Sequence, residues 1–205
     1  MSTLPKSFIS EEKYLELDRA AEHKSEYYDG EMFAMAGAGM AHNQIVFNTS
    51  IAIGIQLRGK SCQGLPSDMR VRIGAAARYS YPDITVVCGK PQVLDNRKDI
   101  LLNPTVVIEV LSPSTADFDR SFKFVAYTAI PSLRQYVLIA TDRASIEVFT
   151  RQPDGLWSPP VKATQLDGSI ELESVGCCLA LADVYDRVEL PPAVADPDQA
   201  PNAAR

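Results

Sequence analysis

The spacing of apolar and polar positions divides the chain into a run of predicted elements. Residues 10–22 read as a helix, with Ser10 placed to cap it and Glu11 and Glu12 in the first turn, where the helix dipole favours acids. Tyr28-Asp29-Gly30-Glu31 reads as a turn, and residues 32–36 as a short strand ended by Gly37-Ala38-Gly39. Residues 42–58 form an apolar segment closed by Gly59. Its length predicts a helix, although Ile45, Val46, Ile51, Ile53 and Ile55 lower the propensity. Strands are predicted over residues 67–73, 81–88, 105–111 and 133–140, and a fifth over 145–151, joined to the fourth by a short turn. A helix over residues 116–129 lies between the third and fourth, with Ser114 and Asp117 in a loose capping-box pattern before it and Pro131 after it. Phe118, Phe122, Val125, Ala126 and Ala129 make its apolar stripe. This order predicts an α/β fold, a mixed sheet with helices packed on it.

The bulk properties add bounds. A chain of 205 residues, 46% hydrophobic and 22% charged, suits one domain, expected over residues 1–190. Residues 191–205 are rich in Pro, Ala and Asp and are expected to be a disordered tail. No apolar run approaches the roughly 20 residues of a membrane span. The first ten residues lack the pattern of a signal peptide, so the expected location is the cytoplasm. Cys62, Cys88, Cys177 and Cys178 show no CxxC spacing, and His23 and His42 are the only histidines, so free thiols are expected and a structural zinc site is not. The net charge of −6 opposes nucleic-acid binding overall. Between Arg58 and Lys98, however, eight basic residues face three acids, which allows a local phosphate-binding face or a plain solvated surface.

Two acids stand in awkward places. Asp83 follows Pro82 at the start of an apolar strand, and Glu109 interrupts Val106-Val107-Ile108-Glu109-Val110-Leu111, a run that reads as a strand buried on both faces. A carboxylate there needs a cation, a donor network or a proton to offset its desolvation. A hard metal ion such as Mg²⁺ or Mn²⁺ suits two carboxylates on neighbouring strands, and can activate water near a phosphate. The alternatives are a Pro-Asp turn for Asp83, and for Glu109 either a water-facing edge strand or a buried base such as Arg134.

Tyr81-Pro82-Asp83-Ile84, Ile108-Glu109-Val110-Leu111-Ser112-Pro113-Ser114-Thr115, Asp119-Arg120-Ser121-Phe122-Lys123-Phe124-Val125-Ala126-Tyr127 and Ile130-Pro131-Ser132-Leu133-Arg134-Gln135-Tyr136-Val137 together resemble the Uma2 family, also called DUF820, whose members are read as endonucleases. Glu26-Tyr27-Tyr28-Asp29-Gly30-Glu31 fits its N-terminal part. The likeness spans roughly residues 10–190. It implies the restriction-endonuclease-like PD-(D/E)xK fold, a mixed β-sheet flanked by α-helices. It also implies a Mg²⁺- or Mn²⁺-dependent site hydrolysing phosphodiester bonds of DNA, with Asp83 and Glu109 as the metal-binding strand carboxylates.

That pattern sets a lysine two residues beyond the strand acid, on the same face, and here the position holds Leu111. Lys123 is the candidate replacement. Asp119, Lys123 and Tyr127 recur at i, i+4 and i+8 and share one side of their helix, and lysine migration onto the neighbouring helix is known in this fold. An ordinary Asp–Lys surface pair is the alternative from spacing alone. Glu26 matches a further acid that the fold takes from near its first helix. Arg70 and Arg72 are candidates to position phosphates. Asp68 is a lesser candidate, with a turn as its alternative, and His42 is either a base or a helix cap. Nuclease folds that cut both strands often dimerise, so a homodimer is an expected partner, although no segment declares a pairing surface. The rival readings are a nucleic-acid- or protein-binding module without catalysis, a structural protein, and another metal-dependent phosphoesterase.

Overall fold

Ser10 caps the first helix as its position implies, its side chain accepting a hydrogen bond from the backbone N–H of Lys13. The computed structural model describes residues 8–112 and 116–191. In chain order the elements are α1 (Glu11–Ala20), β1 (Ser25–Tyr28), β2 (Glu31–Ala34), α2 (Met40–Gln56), β3 (Cys62–Pro66), β4 (Arg70–Ile73), β5 (Arg78–Ser80), β6 (Ile84–Cys88), β7 (Ile100–Leu101) and β8 (Val106–Leu111). A helical crossover follows, made of α3 (Ala116–Phe118), a π-helical segment (Asp119–Lys123) and α4 (Phe124–Tyr127). Then come β9 (Gln135–Ala140), β10 (Ile146–Thr150), β11 (Val161–Ala163), β12 (Ser169–Leu172), β13 (Cys177–Ala180) and α5 (Leu181–Val184).

The expected mixed sheet is present. Six strands lie in the order β11-β10-β9-β8-β6-β3, and five more in the order β2-β1-β5-β4-β7. The β8–β9 pair is parallel, because the crossover returns the chain to the same end of the sheet, whereas β6–β8 and β9–β10 are antiparallel. With β9 on one side and β6 on the other, β8 is a central strand and all six of its residues are buried. Glu109 is therefore not on a water-facing edge.

Alternation along β8 sends its side chains into two cores. Val106, Ile108 and Val110 join Ile84, Val86, Val137 and Ile139 beneath Ile45 and Ile53 of α2 and Leu179 and Val184. Val107 and Leu111 join Val87, Tyr136 and Leu138 beneath Ala126 and Tyr127 of the crossover and Val71 and Ile73 of the second sheet. Glu109 points to this second side.

Three differences from the sequence expectations bear on function. The predicted helix over residues 116–129 forms, but a π-helical turn occupies its middle. That wide turn shifts which residues face inward. Asp119, Lys123, Ala126 and Tyr127 are buried, while Phe118, Phe122 and Val125 of the expected apolar stripe keep substantial exposure. The polar column turns inward because the sheet offers it charged partners. Next, residues 25–28 form a strand ahead of the Asp29-Gly30 turn, which puts Glu26 on a sheet rather than in a connection. Third, Cys62 and Cys88 are a disulfide and not free thiols. They stand directly opposite each other where β3 pairs with β6, a relation hidden by 26 residues of separation. Cys177 and Cys178 are free, as expected. The helix expected over residues 42–58 forms as α2, which holds no Asp, Glu, Lys or Arg and leaves Phe47, Ile51 and Ile55 exposed. The capping role of Ser114 and the expected tail from Pro192 onward lie outside the described residues. Among the described residues, no helix is long and apolar enough to cross a membrane.

Candidate active site

The antiparallel register of β6 and β8 pairs Ile84 with Ile108, so Asp83, one step before, faces the level of Glu109 on the neighbouring strand. The backbone N–H of Val110 donates to Asp83 Oδ2 at 2.8 Å, which fixes that carboxylate against the strand carrying Glu109. His42, in the first turn of α2, places Nε2 3.2 Å from the same oxygen. Its partner is the carboxylate, so the simple capping role considered for it is not the one seen.

From the opposite side the crossover lowers Lys123 onto the sheet. Lys123 Nζ lies 3.0 Å from Glu26 Oε1, 3.2 Å from Asp119 Oδ1 and 3.4 Å from Glu109 Oε1. The lysine is only 8% exposed and Glu109 4%. The base beside Glu109 is thus Lys123, while Arg134 is exposed. The Tyr127 hydroxyl donates to Glu109 Oε1 at 3.0 Å, and the Tyr136 hydroxyl donates to the Asp119 carbonyl at 3.0 Å. Ser80 donates to Glu26 Oε1 at 2.5 Å, and the Tyr28 hydroxyl reaches Glu26 Oε2 at 3.5 Å. Sequence reasoning missed Ser80 and Tyr28. They stand on β1 and β5, strands of four and three residues that carry too little pattern to be read from the sequence.

The electrostatics follow from an excess of acid. Burial pushes the Glu109 carboxyl well above the usual carboxylate range; Lys123 opposes that shift, and Asp119, Asp83 and Glu26 add to it. Burial alone would pull the Lys123 ammonium down, but Glu109, Glu26 and Asp119 outweigh it and hold the pKa well above that of an ordinary lysine. Burial, reinforced by Glu109, raises Tyr127 well above a normal phenol, so its hydroxyl is a donor. The cluster is short of positive charge: three carboxylates share one ammonium.

That imbalance bears on a metal. Among the described residues, no group of three or more histidines, cysteines, aspartates or glutamates forms a ready cage for an ion. Mg²⁺ does not require one. It is commonly held through one or two carboxylates, with water and substrate phosphate supplying the rest. The Asp83–Glu109 pair is of that type, with hard oxygen donors and a local surplus of negative charge, so the residues fit Mg²⁺ or Mn²⁺.

The other candidates are placed elsewhere. Arg70 is buried, its guanidinium 2.5 Å from Asp18 Oδ2 and hydrogen bonded to the Tyr81 hydroxyl. Arg72 reaches Glu11 and the Tyr79 hydroxyl. Asp68 sits on the surface beside Lys24. Arg120 and Arg143 instead line a cavity of about 210 Å³ at the C-terminal ends of β8 and β9, together with Leu111, Ser112 and Thr141.

Comparison with known proteins agrees with this architecture. The chain is 35% identical over 145 residues to the uncharacterized protein sll1609 of Synechocystis sp. (strain ATCC 27184 / PCC 6803 / Kazusa), covering 71% of this chain and 82% of the relative. It is 31% identical over 177 residues to slr1290 of the same organism, covering 86% and 91%. A crystal structure of a "putative nuclease belonging to DUF820" from Anabaena variabilis ATCC 29413 superposes with a TM-score of 0.71 at 18% identity, over 86% of this chain and 97% of that one, and so shares the fold. The family model for Uma2, described as "Putative restriction endonuclease", matches residues 11–182, a span that holds Glu26, Asp83, Glu109 and Lys123. By that match, the chain belongs to the Uma2 family.

Proposed function

We propose that the protein is a metal-dependent endonuclease that hydrolyses phosphodiester bonds of DNA. The observation that carries this reading is the convergence of Lys123 with Glu109, Glu26 and Asp119 beside Asp83, a buried acidic site with one lysine at its centre. Asp83 and Glu109 would hold Mg²⁺ or Mn²⁺, which when bound supplies Lewis-acid stabilisation of the phosphate and a more acidic water. Glu26 and Asp119 keep Lys123 charged and hold its ammonium beside Glu109. From there it orients the attacking water and faces the charge that develops on the phosphate. Tyr127 fixes the Glu109 carboxylate by hydrogen bonding, and His42 does the same for Asp83. Arg120, paired with Glu147, and Arg143, paired with Asp142, line the cavity at the C-terminal ends of β8 and β9 and are less buried than Arg70, so they are the candidates to meet a backbone phosphate, a contact that positions rather than selects sequence.

The reading includes self-association. The exposed Phe47–Ile51–Ile55 stripe of α2 has no charged residue on its helix, so a second copy facing it meets no like charge. Light scattering of the wild type against Ile51→Lys tests that part.

The decisive experiment for catalysis is plasmid nicking with Mg²⁺, with Mn²⁺ and with EDTA, comparing wild type with Asp83→Ala and Glu109→Ala. Nicking that needs the metal and disappears in both variants supports the reading, and nicking that survives both substitutions sinks it. Leu111 favours the second reading, a DNA-binding module without catalysis, since no lysine stands on the strand beside Glu109. It predicts plasmid binding with no nicking under any metal.

A further inference from the structure

The crossover buries its charged column and exposes its aromatic one, the reverse of the usual arrangement. Phe118 and Phe122 stack on each other with ring centroids 5.0 Å apart and planes 18° apart, and remain 38% and 36% exposed. Tyr28 meets both edge-on, at 5.8 and 5.2 Å. Phe33, 45% exposed on β2, extends the surface at 6.1 Å from Tyr28. The guanidinium of Arg78, itself paired with Asp29, lies over the Phe122 ring at 5.6 Å.

This patch is continuous with the acidic site. Phe118 and Phe122 occupy the helical column next to Asp119 and Lys123, and Tyr28 stands two residues from Glu26 on the same face of β1, its hydroxyl on that carboxylate. A phosphate held near Lys123 would have its flanking nucleoside on the part of the crossover that carries these rings. Exposed aromatic faces topped by an arginine suit the π-face of an unpaired base, whereas a paired base keeps its faces stacked within the duplex. An apolar core contact does not account for rings left this open.

We propose that Phe118, Phe122 and Phe33, backed by the buried Tyr28 ring, form a stacking platform for an unpaired nucleobase next to the scissile phosphate, so that the site engages single-stranded or locally opened DNA. The proposal rests on the nuclease reading for its substrate class but is tested by binding alone. Fluorescence anisotropy in EDTA compares full-length wild type with Phe118→Leu/Phe122→Leu, which keeps apolar bulk and removes the rings. The probes are a fluorescein-labelled oligothymidylate and an abasic strand of equal length and charge. Wild type is expected to bind the oligothymidylate roughly tenfold more tightly than the abasic strand, and the double variant to bind both at the abasic affinity. Equal affinity of the wild type for both strands overturns the platform, as does a double variant that keeps the preference. A change of oligomeric state with the base preference intact also overturns it and marks the patch as an interface between copies. If the double variant does not fold, Phe33→Leu and Phe122→Leu are read singly in the same way. A protein that shows the base preference but never nicks DNA removes the nuclease reading and leaves the platform; one that nicks without any base preference does the opposite.

Discussion

Lys123 and Glu109 are 14 residues apart in the chain and 3.4 Å apart in space, the lysine on the crossover helix and the acid on the central strand beneath it. The strand position where the nuclease pattern sets its lysine is Leu111, which lies on the same face as Glu109 and is packed with Val107 and Leu138. The ammonium thus reaches the carboxylate from above the sheet instead of along the strand.

Lys123→Ala is expected to lower single-turnover nicking by about a hundredfold or more, the scale of losing one charge-stabilising donor. DNA affinity in EDTA should change much less, because the group acts on charge developed during reaction. Comparable losses of binding and nicking would show that Lys123 serves affinity instead.

Glu109 predicts an inverted pH response in metal-free buffer. Its folded pKa is raised, so between the ordinary carboxylate value and the folded value the native state holds a proton that the unfolded chain has released. Stability then falls as pH rises through that window. Glu109→Gln cannot release the proton and should lack this fall while losing nicking. Urea melts in EDTA from acidic to neutral pH check it; parallel slopes for wild type and variant would contradict the burial argument.

Arg70 predicts a structural loss. Asp18→Ala strands a buried guanidinium and should cost about 3–5 kcal/mol in urea unfolding. Removing the same guanidinium by Arg70→Met should leave the salt dependence of DNA binding unchanged, where a phosphate contact would reduce the log–log slope by about one. Arg120→Ala, by contrast, should lower that slope.

The Cys62–Cys88 bridge predicts two titratable thiols in denatured, unreduced protein and four after reduction. Cys62→Ser/Cys88→Ser should cost about 3 kcal/mol of stability, the scale for a loop of this length. Four thiols before reduction would remove the bridge.

Much of this fold is written locally. The apolar run on both sides of Glu109 points to a strand, Ser10 and its following acids mark a helix start, and Pro82-Asp83 marks where β6 begins. These depend on periodicity and on the cost of burying a carboxylate, both carried by neighbours in the chain. The short strands β1, β3 and β5 were illegible because three to five residues give too little pattern. With β1 went the strand setting of Glu26, and with β3 the cysteine bridge.

What the sequence alone determined, then, is that Glu109 is a strand acid needing compensation, that Asp83 stands where an apolar strand starts, and that Asp119, Lys123 and Tyr127 share a helix side. The tertiary structure decided that this side faces inward, that Glu26 joins it from a second sheet, that Arg70 is spent on Asp18, and that the aromatic column is left at the surface. Those outcomes depend on strand register and on how the crossover is turned over the sheet. They are set by competition between burying rings and satisfying buried carboxylates, and that competition exists only once distant segments share the same few ångströms.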